Sequence, residues 1–249
     1  MVDSRYALVT GASSGIGRAT AQALAATGYR VVAAARREHR LAELTSEMIE
    51  TRVLDVTDQR SVDDLAAYLA DKNLKVVIAN AGGAFDATTI AQADPDSWQK
   101  SYEVNVIGTV RTIKALLPFM TEGGHIVIMG STAGRAVYEG GGSYTAAKHA
   151  VAALAETLRL ELSGLPIRVT EIAPGMVRTD EFAVVRFGGD KERAAKTYEG
   201  VANPLVAEDI ADVVVWCVTR PAHVNVDLLV VRPLAQAAQH KVHRIMPSK

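Results

Sequence analysis

Residues 6–17 run from a short apolar stretch into glycines at fixed spacing, Tyr6-Ala7-Leu8-Val9-Thr10-Gly11-Ala12-Ser13-Ser14-Gly15-Ile16-Gly17. A strand that turns through glycines into a helix lets backbone N–H groups approach a pyrophosphate. The helix N-terminus adds partial positive charge at the same point. A glycine elsewhere would mark only a turn. Three of them at this junction, with Ser13 and Ser14 as spare donors and Ile16 inside the loop, read as a nucleotide cradle.

The rest of the chain repeats that unit. Strands are predicted at Tyr6–Thr10, Arg30–Ala35, Thr51–Leu54, Lys75–Ala79, His125–Gly130, Arg168–Ile172 and Asp227–Val231. Most are nearly continuous apolar runs, as strands covered on both faces of a parallel sheet must be. Helical periodicity falls near 15–27, 38–48, 59–71, 96–120, 143–163 and 207–219. Seven strands alternating with helices define an α/β fold, a Rossmann-type doubly wound parallel sheet. With 249 residues, 49% of them hydrophobic, and no repeat, low-complexity stretch or linker, residues 1–249 are read as a single domain. Residues 176–205 break the rhythm and carry Arg178, Arg186, Lys191, Arg193 and Lys196. Two readings stand: a substrate lid, or a solvated helical pair packed on the core.

Composition excludes several classes. A net charge of −1 implies no attraction to nucleic acid or to a membrane surface. Cys217 is the only cysteine, so there is no internal disulfide, and an inert buried thiol is expected. The six histidines, at 39, 125, 149, 223, 240 and 243, show no metal-ligand pairing, and no metal site is expected. No apolar run reaches spanning length, and no secretory segment precedes Tyr6, so a cytoplasmic protein is the expectation.

The second predicted strand ends in Ala35-Arg36-Arg37. An NAD site normally places an acidic residue here for the ribose 2′-OH. Two guanidinium groups instead suit a 2′-phosphate, so NADP is the expected cofactor. The bland alternative, two exposed arginines opening a helix, is electrostatically poor at that helix end. Asp55-Val56 closes the third strand, where a carboxylate can accept from the adenine amino group. Asn80-Ala81-Gly82-Gly83 closes the fourth, where backbone beside glycine can pass close to the cofactor.

Ser131 falls at the carboxyl end of the fifth strand, and Tyr144 and Lys148 lie four residues apart on one face of the next helix. A phenol is a poor base at neutral pH, and making it a good one takes about 4 kcal/mol of differential stabilisation. The Lys148 ammonium and an oxidised nicotinamide could supply it. Tyr144 then exchanges a proton with a substrate oxygen, and Ser131 hydrogen-bonds the same oxygen. Asn105, inside the predicted helix 96–120, has two readings: a helix-bending group that holds a water relaying protons to Lys148, or a satisfied buried amide.

Taken together, T-G-x-x-x-G-x-G, N-A-G, Asn105, Ser131, Tyr144-x-x-x-Lys148 and Pro174-Gly175 resemble the short-chain dehydrogenase/reductase family across nearly the whole chain. The resemblance implies a catalytic tetrad of Asn105, Ser131, Tyr144 and Lys148. It implies that Lys148 hydrogen-bonds the nicotinamide ribose and that Pro174-Gly175, through Val177 to Thr179, wraps the carboxamide. It also implies pairing of the two long helices across a two-fold axis, commonly in a homotetramer. The chain departs from the family pattern at Ala79, where many members have a second Asn, and at Val231-Arg232-Pro233, where a Gly-Gly is usual. Ala35-Arg36-Arg37, Gly130-Ser131-Thr132-Ala133-Gly134, Val185-Arg186-Phe187, Lys196-Thr197-Tyr198 and Pro221-Ala222-His223-Val224-Asn225 are similar to NADP-dependent 3-hydroxy-acid dehydrogenases acting on serine or allo-threonine. On that reading Ser131 and Arg186 meet a small hydroxy acid or semialdehyde, with Arg135 and Arg178 as further cations. An uncharged or bulky aldehyde or ketone is the alternative. A protein that only senses NADP is a third reading; such proteins usually lack the tyrosine–lysine pair.

Overall fold

Val31-Val32, Val76-Val77-Ile78 and Ile126-Val127-Ile128 offer no polar face, so their strands need cover on both sides. They receive it in the computed structural model, which describes residues 5–120 and 122–245. In chain order the elements are β1 (Tyr6–Thr10), α1 (Gly15–Ala26), β2 (Arg30–Ala35), α2 (Glu38–Ala42), β3 (Ile49–Val53), α3 (Gln59–Leu69) and β4 (Leu74–Ala79). There follow α4 (Pro95–Tyr102), α5 (Gly108–Leu116), β5 (Gly124–Met129), α6 (Gly142–Glu161) and β6 (Ile167–Pro174). The chain continues through α7 (Phe182–Arg186), α8 (Lys191–Lys196), α9 (Ala207–Val218), β7 (Leu228–Val231) and a small hairpin of β8 (Gln236–Ala238) and β9 (Lys241–Val242).

The seven strands lie in the order β3-β2-β1-β4-β5-β6-β7, every neighbouring pair parallel. This is the doubly wound sheet expected from the alternation. Successive residues serve opposite faces: Leu8 and Val32 join Leu65, Leu116 and Val151 on one side, while Val9 and Val31 join Leu24, Ile210 and Val214 on the other.

Most boundaries shift by a residue or two, and three departures from expectation have a visible cause. The helix predicted over 38–48 stops at Ala42. Thr45 and Ser46 follow, and Ser46 N donates to Ile49 O at 3.1 Å, so polar residues that favour turns end the helix early. β3 therefore starts at Ile49 rather than Thr51, pairing in register from Val31↔Ile49 to Ala35↔Val53. As a sheet edge it is only partly covered, and its sequence Ile-Glu-Thr-Arg-Val carries no continuous apolar signal. The segment predicted as one helix over 96–120 changes pitch midway. Between α4 and α5, Glu103–Ile107 form a π-helical turn, and Leu117–Phe119 end in a 3₁₀ turn at Pro118. The Asn105 amide donates to Ser101 O at 2.8 Å and Thr109 Oγ1 donates to Asn105 O at 2.8 Å, so side chains meet the carbonyls at the wider turn.

Strand order reverses between β1 and β4. Their connections leave on opposite faces, and a crevice opens at the carboxyl ends where they part.

Candidate active site

The floor of that crevice is made of backbone. Thr10 Oγ1 accepts from Asn80 N at 3.0 Å and Ala81 N at 2.9 Å, and Asn80 Nδ2 donates to Thr10 O at 2.9 Å, tying the ends of β1 and β4 together. Gly11 has φ 67°, and a Cβ there would lie 2.9 Å from Asn80 Nδ2. A Cβ at Gly17 would lie 2.4 Å from Gly11 O, so α1 can approach the turn this closely only without a side chain. Ser14 precedes α1 in extended geometry and its side chain does not cap it. The first-turn N–H groups of this twelve-residue helix thus face the crevice, a cradle that fits a pyrophosphate.

At the end of β2, Arg37 Nη2 donates to Ser13 Oγ at 2.9 Å and to Ser14 Oγ at 3.0 Å, while Nη1 donates to Glu181 Oε1 at 2.7 Å. Arg40 Nη1 lies 2.5 Å from the same carboxylate oxygen. The hydrogen bond from Arg37 holds the Glu181 carboxyl below the ordinary range against the opposing effect of burial. Burial pushes the Asp55 carboxyl up, but the Thr57 N–H and hydroxyl together with the Arg36 charge bring it below the ordinary range. Two guanidinium groups and two hydroxyls fit a nucleotide carrying a 2′-phosphate.

A cavity of about 700 Å³ runs from this end to Ser131, Tyr144 and Lys148, and the residues assigned from sequence to cofactor, catalysis and substrate line it, with the exception of Asn105. Tyr144 is the third residue of α6 and Lys148 follows one turn later, both buried. Burial pushes the Tyr144 phenol above its ordinary value and Tyr138 adds to this, whereas hydrogen bonding to Ser131 and the Arg186 charge oppose it. Lys148 Nζ lies 5.7 Å from the Tyr144 ring centroid and donates to Met129 O at 2.8 Å. Burial pulls its ammonium down to about 8, with Glu171 opposing. Ser131 sits two residues past β5; its Oγ accepts from Ala133 N at 3.1 Å and donates to Pro174 O at 3.4 Å.

Asn105 is 1% exposed and lies behind the cavity wall. Its Nδ2 donates to Gly83 O at 2.8 Å and its Oδ1 accepts from Gly83 N at 3.2 Å. A Cβ on Gly82 would come within 2.5 Å of that Oδ1 and 3.6 Å of Lys148 Nζ. Asn105 is thus a satisfied buried amide that fixes the loop beside Lys148.

Of the cations proposed for a substrate carboxylate, Arg186 alone lines this cavity. Its Nη2 donates to Gly140 O at 3.2 Å, its guanidinium carbon lies 5.1 Å from the Tyr138 ring centroid, and its Nε is buried with no partner. The expectation for Arg135 is corrected: its guanidinium is drawn to the buried Glu171, with Glu156 at 3.5 Å, and it turns away from the cavity. Arg178 is likewise elsewhere, in a separate hollow with Lys196, Tyr198 and Glu199. Sequence reasoning missed Gln236 and Gln239 of the β8–β9 hairpin, which also reach the cavity. Gln236 Oε1 accepts from Met176 N at 2.8 Å, and Thr132 Oγ1 bonds Gln239 Oε1 at 2.7 Å. The departure at Val231-Arg232-Pro233 was the available signal. Phe182, also missed, packs edge-on to Tyr144 with ring centroids 5.5 Å apart. Among the described residues no group of three or more His, Cys, Asp or Glu could hold a metal ion, and no helix is long and apolar enough to cross a membrane.

Known proteins resemble this chain along most of its length. Residues 5–186 match the family described as short chain dehydrogenase. An uncharacterized oxidoreductase of Mycobacterium tuberculosis is 50% identical over 237 residues, covering 94% of this chain and 93% of that protein. The NADP-dependent 3-hydroxy acid dehydrogenase of Salmonella typhi is 39% identical over 245 residues, covering 95% and 98%. The closed form of a serine dehydrogenase complexed with NADP+ superposes with a TM-score of 0.90 at 37% identity, covering 96% of this chain and all of that one. The chain belongs to the short-chain dehydrogenase family and is an oxidoreductase of that family.

Proposed function

We propose that this oxidoreductase uses NADP to interconvert the alcohol and carbonyl of a small 3-hydroxy acid or its semialdehyde. The carrying observation is that one cavity joins the glycine loop and the Arg36-Arg37 end to Ser131, Tyr144 and Lys148, with Arg186 beside the tyrosine. The names of the Salmonella relative and of the serine dehydrogenase structure support the same reading. When bound, the nicotinamide supplies the hydride exchange. Gly11, Gly15, Gly17 and the start of α1 hold the pyrophosphate; Arg36 and Arg37 hold the 2′-phosphate; Asp55 and Val56 meet the adenine. Asn80, Ala81 and Gly82 pass beside the cofactor, and Pro174, Gly175, Val177 and Thr179 border its carboxamide end. Tyr144 moves a proton between its Oη and the substrate oxygen, and Ser131 Oγ hydrogen-bonds that oxygen as charge develops. Lys148 holds the ribose and presents positive charge to the phenol, while Asn105 keeps the 82–83 loop in place. Arg186 pairs with the substrate carboxylate and aims the carbinol carbon.

Tyr138, Phe182 and Phe187 around the same cavity favour a second reading, an uncharged aldehyde or ketone. A panel of serine, 3-hydroxypropionate and uncharged alcohols, run with NADP and with NAD, separates the two. Arg186→Leu should raise KM for the hydroxy acids about tenfold to a hundredfold, the worth of a charge-assisted pair, and leave uncharged alcohols near their original KM. Equal effects on both, or no turnover of any hydroxy acid by the unmodified protein, would leave only the family-level activity standing.

A further inference from the structure

We infer that Glu181 competes with the cofactor's 2′-phosphate for Arg37, so that one carboxylate both narrows the preference for NADPH and clasps the substrate loop over the nucleotide site. The inference rests on the NADP reading above. All three nitrogens of the Arg37 guanidinium are engaged: Nε and Nη2 with Ser13 Oγ at 3.2 and 2.9 Å, Nη2 also with Ser14 Oγ at 3.0 Å, and Nη1 with Glu181 Oε1 at 2.7 Å. Arg40 adds a second cation to the same oxygen at 2.5 Å. A carboxylate gripped by two guanidinium groups beside two serine hydroxyls occupies the kind of site a phosphate takes. Nη1 already carries Glu181 and Nη2 the serine hydroxyls, so a 2′-phosphate that grips Arg37 through both Nη groups displaces a present partner. Glu181 is the one to yield, because it is the only anion among those partners. Its side chain keeps 24% of its surface in water, so it can be rehydrated on leaving.

The consequence for the loop follows from position. Glu181 immediately precedes α7, the helix that carries Arg186. Two residues earlier, the Thr179 side chain stands 3.2 Å from where a Gly15 Cβ would be. Residues 179–181 therefore cross the glycine loop and end on the arginines. The Arg37–Glu181 pair fastens that crossing, and its release frees the amino end of α7.

The test measures nucleotide affinity rather than turnover. Dissociation constants for NADPH and NADH are determined by nicotinamide fluorescence for the unmodified protein, Glu181→Gln and Arg36→Asp. Glu181→Gln should tighten NADPH about threefold to fivefold, the worth of a partly exposed ion pair, and leave NADH unchanged. Limited trypsin digestion of the unmodified protein gives a second reading. 2′,5′-ADP, but not 5′-ADP, should speed cleavage after Lys191 and Arg193. Unchanged or weaker NADPH binding in Glu181→Gln, equal shifts for both nucleotides, or identical cleavage with both adenosine phosphates would each overturn the inference. If Arg36→Asp abolishes NADPH preference while Glu181→Gln does nothing, the NADP reading survives and only the competition fails. If the unmodified protein shows no preference for NADPH, both fail.

Discussion

At the scale of single residues, the same burial acts in opposite senses on Tyr144 and Lys148: it raises the phenol and lowers the ammonium, so each is pushed toward neutrality. Tyr144→Phe keeps the ring against Phe182 and removes the proton. Turnover should fall by about 10²–10⁴ while NADPH affinity is retained, checked by steady-state kinetics beside a binding titration. Lys148 gives a prediction about stability. Its folded-state value of about 8 lies below the ordinary 10.5, so below pH 8 the native state carries the whole cost of burying an ammonium. That cost is on the order of 3 kcal/mol. Between those two values the folded chain sheds the proton before the unfolded chain does, and the cost declines. Lys148→Met should therefore raise Tm at pH 7, with an advantage that shrinks from pH 8 toward 10.5. A constant advantage across that range would contradict it. The residues that meet in the cavity were legible in sequence where short spacings place them: four positions on a helix, three glycines in a turn. Arg135 was not. Its partner Glu171 lies 36 residues away on β6, and only the pairing of β5 with β6 brings the two together.

At the scale of elements, apolar runs gave most of the strands and helical periodicity gave most of the helices. Asp58 caps α3 by accepting from Arg60 N at 3.0 Å, and the predicted start at residue 59 matches. Edge strand β3 lacked the two-sided apolar signal, and its predicted start was two residues late. The π turn could not be read from periodicity, because one wider turn barely shifts a hydrophobic stripe. The packing of α1 on its loop offers the sharpest test at this scale. Gly17→Ala would drive a methyl against the Gly11 carbonyl at 2.4 Å, with backbone rather than a pliable side chain as the obstacle. NADPH affinity should drop by an order of magnitude or more, about the effect of losing a properly aligned phosphate cradle, and calorimetric Tm should fall with it. Alanine at Gly28, where no atom lies within 4 Å, should leave affinity alone; its cost is confined to the positive φ of 90°.

At the scale of the whole molecule, apolar side chains remain in water on the helices that flank the sheet. Tyr102 and Val110 on α4 and α5 are 46% and 38% exposed, and Leu160 on α6 is 79% exposed. We expect these helices to pair with a second copy across a two-fold axis, where one apolar patch meets itself. Light scattering should give at least twice the monomer mass at micromolar concentration, and Leu160→Glu should shift it toward the monomer. A stable monomer in the unmodified protein would refute the pairing. The β8–β9 hairpin carries a different consequence, one of time. A ribosome makes residues 6–79, with the glycine loop and both arginines, long before it makes Gln236 and Gln239, which reach back to Met176 and Thr132. During synthesis, therefore, every residue of the glycine loop and of the Arg36-Arg37 end exists while the far wall of the reaction chamber is still unmade.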